Sequence, residues 1–138
     1  MAISQAMCSS FKQELFLAVH DFANDIFNMA LYSAAASLGA DTTVYTPTGE
    51  ISGTGYTTTG QALQGVTVNV SGTTAYVNFD SPVWTPASFT CRGALIYNVS
   101  KGNKAVAVLD FGSDKTPTNT FTVDMPVNSS SAALIRLP

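Results

Sequence analysis

The sequence predicts a mainly β domain, a β-sandwich or jelly-roll-like barrel with a short N-terminal helix. Thr, Val, Tyr and Phe are abundant, and these residue types favour strands. From Gln61 onward, short apolar runs alternate with turn residues at a spacing typical of those folds. A chain of 138 residues is long enough to bury a core of its own. We therefore expect a single domain over 1–138, with an N-terminal arm and helix over about 1–20.

The charge content is low and excludes several classes of protein. Charged residues make up 11% of the chain, against about 25% in an ordinary soluble domain. The hydrophobic share of 46% is ordinary, and the net charge is only −3, so disorder is not expected. The absence of a basic cluster argues against a nucleic-acid partner, and the scarcity of Glu argues against a coiled coil.

The cysteines and the chain's hydropathy indicate a protein made and kept in a reducing cytoplasm. Cys8 and Cys91 lie far apart and match no metal-binding or redox spacing, so we expect two buried thiols. No apolar run approaches the roughly 18 residues that a membrane span needs. Residues Met1 to Ser10 lack the basic start of a secretory signal. We expect a soluble protein without a membrane partner.

The N-terminal part predicts a helix over residues 9–19. Ser10 and Gln13 have the S-x-x-Q spacing of a capping box. Phe11, Leu15 and Ala18 follow at positions that share one face of a helix.

Residues 26–38 allow two interpretations. Alternating apolar side chains predict a strand at 26–32, followed by a short helical turn that ends at Gly39. Ala34 to Ala36 have high helix propensity, so an uninterrupted helix as far as Leu38 is the alternative.

Residues 39–60 form a long Thr- and Gly-rich segment that we expect to be an ordered loop. Tyr45, Ile51 and Tyr56 offer anchors to the core at intervals along it. A loop of this length without secondary structure commonly has a function or a partner.

The rest of the chain predicts strands joined by short turns. Ser71-Gly72 is a plausible hairpin turn, and Trp84, between two prolines, marks a sheet edge or a crossing between sheets. The predicted strands cover residues 61–70, 75–79, 89–99, 105–111, 121–125 and 132–137.

No catalytic, cofactor-binding or metal-binding set is predicted, and we do not expect an enzyme. The single histidine, His20, has no evident partner and is expected to pack locally near the helix end. Asp110 and Asp114 are close enough for a Ca²⁺ site, but the intervening glycine and serine favour a turn. Trp84 is expected in the core or at an interface.

Three stretches together carry a likeness to known proteins. They are Met1 to Leu15, Thr48 to Tyr56, and Arg92 to Asn98 running into Asn103 to Lys115. With these blocks the sequence resembles a family of small structural proteins of tailed bacteriophages, over nearly the whole chain. It departs from that family around residues 23–28, where a Gly-Asp turn is common.

The resemblance implies a virion protein without a catalytic motif. The leading hypothesis is a capsid decoration, or cement, protein made in the host cytoplasm and bound to the capsid surface, with the major capsid protein as its partner. A homo-oligomer, a dimer or trimer, is expected for a shell protein. The alternative is a tail fibre or receptor-binding module that recognises host surface glycans.

Two segments are candidates for the partner contact. The N-terminal segment is either an arm that inserts between subunits or an ordinary first turn packed on its own domain. It and the adjoining helix offer Ile3, Met7 and Phe11, and the long loop offers Tyr45 and Tyr56.

Overall fold

The structure, a computed structural model, describes residues 2–138 and is mainly β, with 39% strand and 8% helix. The predicted fold class is therefore confirmed, and the antiparallel sheets are consistent with a β-sandwich-like fold. The elements are β1 Ala6–Met7, α1 Ser9–Phe16, β2 Phe27–Tyr32, β3 Gln61–Ala62, β4 Thr67–Ser71, β5 Thr74–Asn78, β6 Val83–Trp84, β7 Cys91–Asn98, β8 Lys104–Lys115, β9 Phe121–Thr122 and β10 Ile135–Leu137.

The main sheet has five strands in the order β1-β8-β7-β2-β3. Every residue of β7 except Arg92 is buried, so both faces of the sheet are covered. Phe27 of β2 lies opposite Asn98 of β7, and we call their side the helix face; Ala30 and Leu95 mark the other side, the loop face. Between Ile96 and Tyr97 the register with β8 shifts by one residue, a β-bulge.

The N-terminal segment packs on its own domain. Of the two interpretations, this is the ordinary first turn and not the arm that inserts between subunits. Ile3 forms a parallel bridge with Leu38, and the Ser4 amide donates to the Leu38 carbonyl at 2.9 Å. β1 then pairs with β8 at the edge of the main sheet.

The first helix is present but shorter than predicted. It ends at Phe16, and Ala18 has a left-handed φ of 56°, which stops propagation. The capping-box prediction was wrong, because Cys8 occupies the N-cap position and makes no side-chain cap hydrogen bond. Ser10 lies inside the first turn instead, where its hydroxyl has no hydrogen-bond partner.

The strand predicted at 26–32 is confirmed, since β2 covers all of it except Ile26. The helical turn predicted after it is reduced to a single turn at Ser33 to Ala36, where the Ala36 amide donates to the Ser33 carbonyl at 3.0 Å. The helix propensity of the alanines does not decide the local structure here, because Ala36 and Leu38 are buried in the core.

An aromatic cluster joins the helix to the helix face of the main sheet. Phe22 stacks on Phe27 with ring centroids 4.6 Å apart and meets Phe11 edge-on at 6.0 Å. Phe79, one residue after β5, closes the cluster at 5.8 Å from Phe27. These aromatic contacts fix α1 and the end of β5 on the same side of the main sheet.

The second sheet has three strands in the order β10-β5-β4. The strand predicted at 61–70 is divided, because Gly65 with a φ of 64° separates β3, in the main sheet, from β4. β4 and β5 form the predicted hairpin, with Gly72 in the turn at a φ of 61°. Cross-strand partners place Val68, Val77 and Ile135 on one face of this sheet.

The last strands differ from prediction in length. β8 runs four residues further than expected, to Lys115, whereas β9 and β10 keep only two and three residues. Trp84 of β6 is buried and lies 6.0 Å from Phe121 of β9, which is the core location expected for it.

Both cysteines are free and fully buried, as predicted. Burial raises the pKa of the Cys8 thiol to about 11 and that of Cys91 to about 12, so both are protonated at neutral pH. Among residues 2–138, no helix has the length and apolar character required to cross a bilayer.

Truncation of the two phenylalanines of α1 should change the free energy of unfolding by very different amounts. Phe11→Ala removes a fully buried ring and should lower the free energy of unfolding by about 3–5 kcal/mol. Phe16→Ala, the matched control, removes a ring that is 94% exposed and should change it by no more than about 0.5 kcal/mol. Urea unfolding followed by circular dichroism measures both, and equal losses would contradict the burial of Phe11.

Candidate functional site

A groove of about 760 Å³ lies on the helix face of the main sheet. We call it the β8 groove, because one wall is β1 and the middle of β8. The other wall comprises residues 121–126 and 132–136. Its volume is in the range of ordinary ligand and peptide sites.

The β8 groove is lined mainly by apolar side chains that the core leaves half-buried. The alternation of β8 turns Leu109 to the same face as Ala94 of β7, and Met7 of β1 lies on that face opposite Ala107. The half-buried apolar residues that line it are Met7, Leu109, Phe111, Phe121, Met125 and Leu134.

Charge in the β8 groove is balanced. Asp110 and Asp124 line it together with Lys115 and Arg136, two side chains of each sign. A neutral, largely apolar groove suits an apolar ligand or an extended segment of another protein better than a strongly charged ligand.

The N-terminal residues predicted to contact a partner fall in different places. Met7 lines the β8 groove and stays available. Ile3 is 9% exposed and Phe11 is 0% exposed, so both are core residues and offer little or no surface to a partner in this fold. Of the three residues predicted from this part of the chain, only Met7 is therefore accessible to a partner.

Sequence reasoning missed an apolar knob formed by Phe16 and Leu17. Their exposed fractions are 94% and 66%, the former being the largest among the exposed hydrophobic residues of the chain. Phe16 is five positions from Phe11 and so lies off the apolar stripe of α1. A bulky apolar residue outside the stripe was the available signal for this exposed position.

Tyr45 and Tyr56 come together around Glu50, in a group that we call the Glu50 cluster. The Tyr45 hydroxyl donates to Glu50 Oε1 at 2.5 Å, and the Tyr56 hydroxyl donates to Glu50 Oε2. The Thr59 amide donates to Oε2 at 2.8 Å, and Tyr56 also accepts from the Leu31 amide at 3.0 Å. Both tyrosines are half-buried, and both hydroxyls are used inside the chain.

The Glu50 cluster confirms that Tyr45, Ile51 and Tyr56 anchor the long loop. Tyr45 stacks on Tyr97 of β7 at 4.8 Å, and Ile51 is buried. Burial, followed by the hydrogen bond to Glu50, raises the pKa of Tyr45 and of Tyr56 above the usual range. The phenols therefore stay protonated and act as donors at all ordinary pH values.

His20 belongs to a buried polar network at the end of β7. The Asn98 amide nitrogen lies 2.9 Å from His20 Nδ1 and 2.8 Å from a carboxylate oxygen of Asp25. The amide nitrogen of Asn98 can only donate, so His20 Nδ1 is the acceptor of this bond. The Nε2–H of His20 then donates to Glu14 at 2.8 Å. The His20 side chain is fully buried, which matches the expectation of local packing.

Asp25 joins this network to the surface. Burial raises the pKa of its carboxyl, but hydrogen bonds from Asn98 and Lys101 outweigh that effect and lower it to about 2. Lys101 Nζ lies 2.8 Å from Asp25 Oδ2 and closes the network as an ion pair.

Residues 110–114 lie within β8 rather than in the predicted turn, at a break in the register with β7. Asp110 Oδ1 nevertheless accepts from the Gly112 amide at 2.9 Å, the kind of local bond that was expected of it. Among the described residues, no three His, Cys, Asp or Glu side chains are grouped as a metal site would require.

Comparisons with protein-family models, with curated proteins and with solved structures found no match. The assignment of a function therefore rests on the residues themselves.

The acid limb of the stability profile should depend on Asp25. Its carboxyl has a lower pKa in the folded chain than the ordinary 3.8, so its contribution to stability is complete above about pH 4 and is lost as the pH falls through about 2. Asp25→Asn should remove that contribution and flatten the profile in this window. Denaturant unfolding from pH 6 to 2 measures it.

Asp114→Asn is the control, because it removes the same charge from an exposed position. The Asp25 variant should differ from the native chain more at pH 6 than at pH 2, and the control should not. A constant difference for Asp25→Asn across the range would contradict its role in the network.

Proposed function

We propose that this chain is a structural protein of a tailed-phage virion, and that it acts as a decoration protein on the assembled head. In this role it binds across neighbouring major capsid subunits on the capsid surface. The resemblance of residues 1–15, 48–56, 92–98 and 103–115 to small phage structural proteins suggests the class.

The observation that carries the proposal is the β8 groove. It is a preformed recess between β1 and β8 on one side and residues 121–126 and 132–136 on the other, with a largely apolar lining and balanced charge. Such a recess accepts an extended apolar segment of a partner without paying for a rearrangement of the chain. The Phe16–Leu17 knob is a second apolar contact, built on a different element, which a bridging protein needs.

The mechanism is stabilisation by binding. A protein that binds the assembled shell and not its separated subunits stabilises the shell in proportion to the logarithm of its concentration over the dissociation constant. A contact made with two neighbouring subunits adds to this, because both must detach before the shell opens. None of these steps requires a reactive group.

Copy number distinguishes this proposal from the tail alternative. A decoration protein is present in numbers comparable to those of the major capsid protein, whereas a tail fibre or receptor-binding module occurs in far fewer copies. Quantitative mass spectrometry of purified virions measures the ratio, and a low ratio would favour the glycan-binding alternative.

The groove itself is tested by Met125→Glu. A carboxylate in this apolar lining should raise the dissociation constant for empty heads of the same phage at least about tenfold, because the charge loses water on binding. Met125→Leu, which keeps the apolar volume, should bind like the native chain. Co-sedimentation with the heads measures the affinity.

Ala35→Glu is the control for added charge, since Ala35 is exposed and lies outside the groove. Circular dichroism establishes that each variant is folded. Native affinity in a folded Met125→Glu variant would exclude the β8 groove as the contact.

A further inference from the structure

β4 is an uncapped strand at the edge of the small sheet. It pairs with β5 on one side only, and among the described residues no backbone hydrogen bond is made on its other side. Four of its five residues are exposed. A free strand edge is a template for pairing with another strand.

The other edge strands of the described chain have features that oppose pairing with another strand, and β4 has none of them. β1 and β3, at the ends of the main sheet, have two residues each, and β10 has three, with Arg136 among them. β4 has five residues, Thr-Val-Asn-Val-Ser, without a proline or a charge. Lysine, proline and shortness are the usual devices against edge pairing, and β4 lacks all three.

The direction of the free backbone groups follows from the hairpin. Ser71 and Thr74 flank a two-residue turn and therefore form a hydrogen-bonded pair. Pairs alternate along an antiparallel ladder, so Asn69 also bonds to β5, and the N–H and C=O groups of Val68 and Val70 point to the free edge.

This arrangement is complementary to itself. A two-fold axis at Asn69 places Val68 of one copy opposite Val70 of the other, and the four free N–H and C=O groups of each copy meet those of its partner. Four hydrogen bonds then join the strands, and the sheet becomes one of six strands.

The positions of the side chains also favour pairing at β4. Val68 and Val70 lie on the same face of the sheet as Val77, which is buried, yet they are 57% and 70% exposed. Pairing at β4 brings the valines of two copies side by side and extends the apolar face across the axis.

Charge also favours a second copy as the occupant. No charged residue occurs from Ile51 to Phe79, although each chain carries a net charge of −3. The hairpin therefore contributes no like-charge repulsion of its own when two identical acidic chains approach through it.

We propose that the chain forms a two-fold dimer by antiparallel pairing of β4 with β4 of a second copy, centred on Asn69. This inference does not rest on the proposed function, because the purified chain alone should dimerise whether or not it binds a capsid.

A single cysteine tests the register. Residues 69 of the two copies form a non-hydrogen-bonded pair with Cα atoms about 4.5 Å apart, within the range for a disulfide. Asn69→Cys should therefore give a covalent dimer under mild oxidation, read on a non-reducing gel. Native Cys8 and Cys91 are fully buried and do not interfere.

Ser71→Cys is the matched control on the same strand. Residues 71 lie at opposite ends of the paired segment, roughly 13 Å apart, and should not crosslink. The proposed pairing would be overturned if Ser71→Cys crosslinked as fast as Asn69→Cys, or if neither variant crosslinked.

A proline tests the backbone bonds. Val70→Pro removes an N–H that points away from β5, so the hairpin within one chain is retained while two of the four intermolecular bonds are lost. The dissociation constant of the dimer, from sedimentation equilibrium, should rise at least about tenfold. Val70→Thr, which keeps the N–H and the branched shape, should dimerise nearly as the native chain does.

A native chain that is monomeric at all concentrations would overturn the proposal. If such a monomer lost capsid binding on Val70→Pro, the free edge would belong to the capsid partner instead, and self-pairing would again be excluded. Unchanged dimerisation of a folded Val70→Pro variant would likewise exclude pairing through β4.

Discussion

The pairing of β7 with β8 is the constraint on which the rest of the structure depends. β7 is the central strand of the main sheet, flanked by β8 and β2, and it is buried on both faces by the segments that cover the sheet. Gly93 shows how close this packing is, because a Cβ there would lie 2.7 Å from the Leu109 carbonyl oxygen and 2.8 Å from the Ile3 side chain. The N-terminal segment can pass over the sheet at this point because β7 has no side chain there.

The two faces of the main sheet are covered by different physical means. On the helix face the cover is mainly aromatic, with Phe11, Phe22 and Phe79 packed around Phe27 and the buried His20–Asn98 hydrogen bond beside them. On the loop face a segment without regular secondary structure must be held, and the Glu50 carboxylate does so by accepting from two tyrosine hydroxyls and one backbone amide. A charged acceptor makes stronger hydrogen bonds than a neutral one, and Glu50 acts together with backbone bonds such as Ile51 amide to Leu31 carbonyl at 3.1 Å.

Local patterns in the sequence predicted the elements well and their environment poorly. The alternation over 26–32 favoured β2 over the alternative helix, and the spacing of Tyr45, Ile51 and Tyr56 indicated an anchored loop, because each signal is contained in the segment itself. Burial depends on partners that are distant in the sequence. Phe11 was assigned to a partner although it fills the core, and Phe16 was passed over although it is exposed. The capping box at Ser10 failed for the same reason, since β1 fixes where the helix begins.

The low charge content can also be divided into a part explained by the chain's own core and a part that is not. The charged residues are unevenly distributed, because residues 51–79 contain none. In the first part of this stretch, Ile51 and Tyr56 pack against the domain's own core, so neutrality there serves the fold. In the second part, Val68 and Val70 are exposed on a strand that pairs with β5 on one side only. An uncharged strand edge exposed to water favours association with another strand, and this is the reason for proposing that a second copy covers β4.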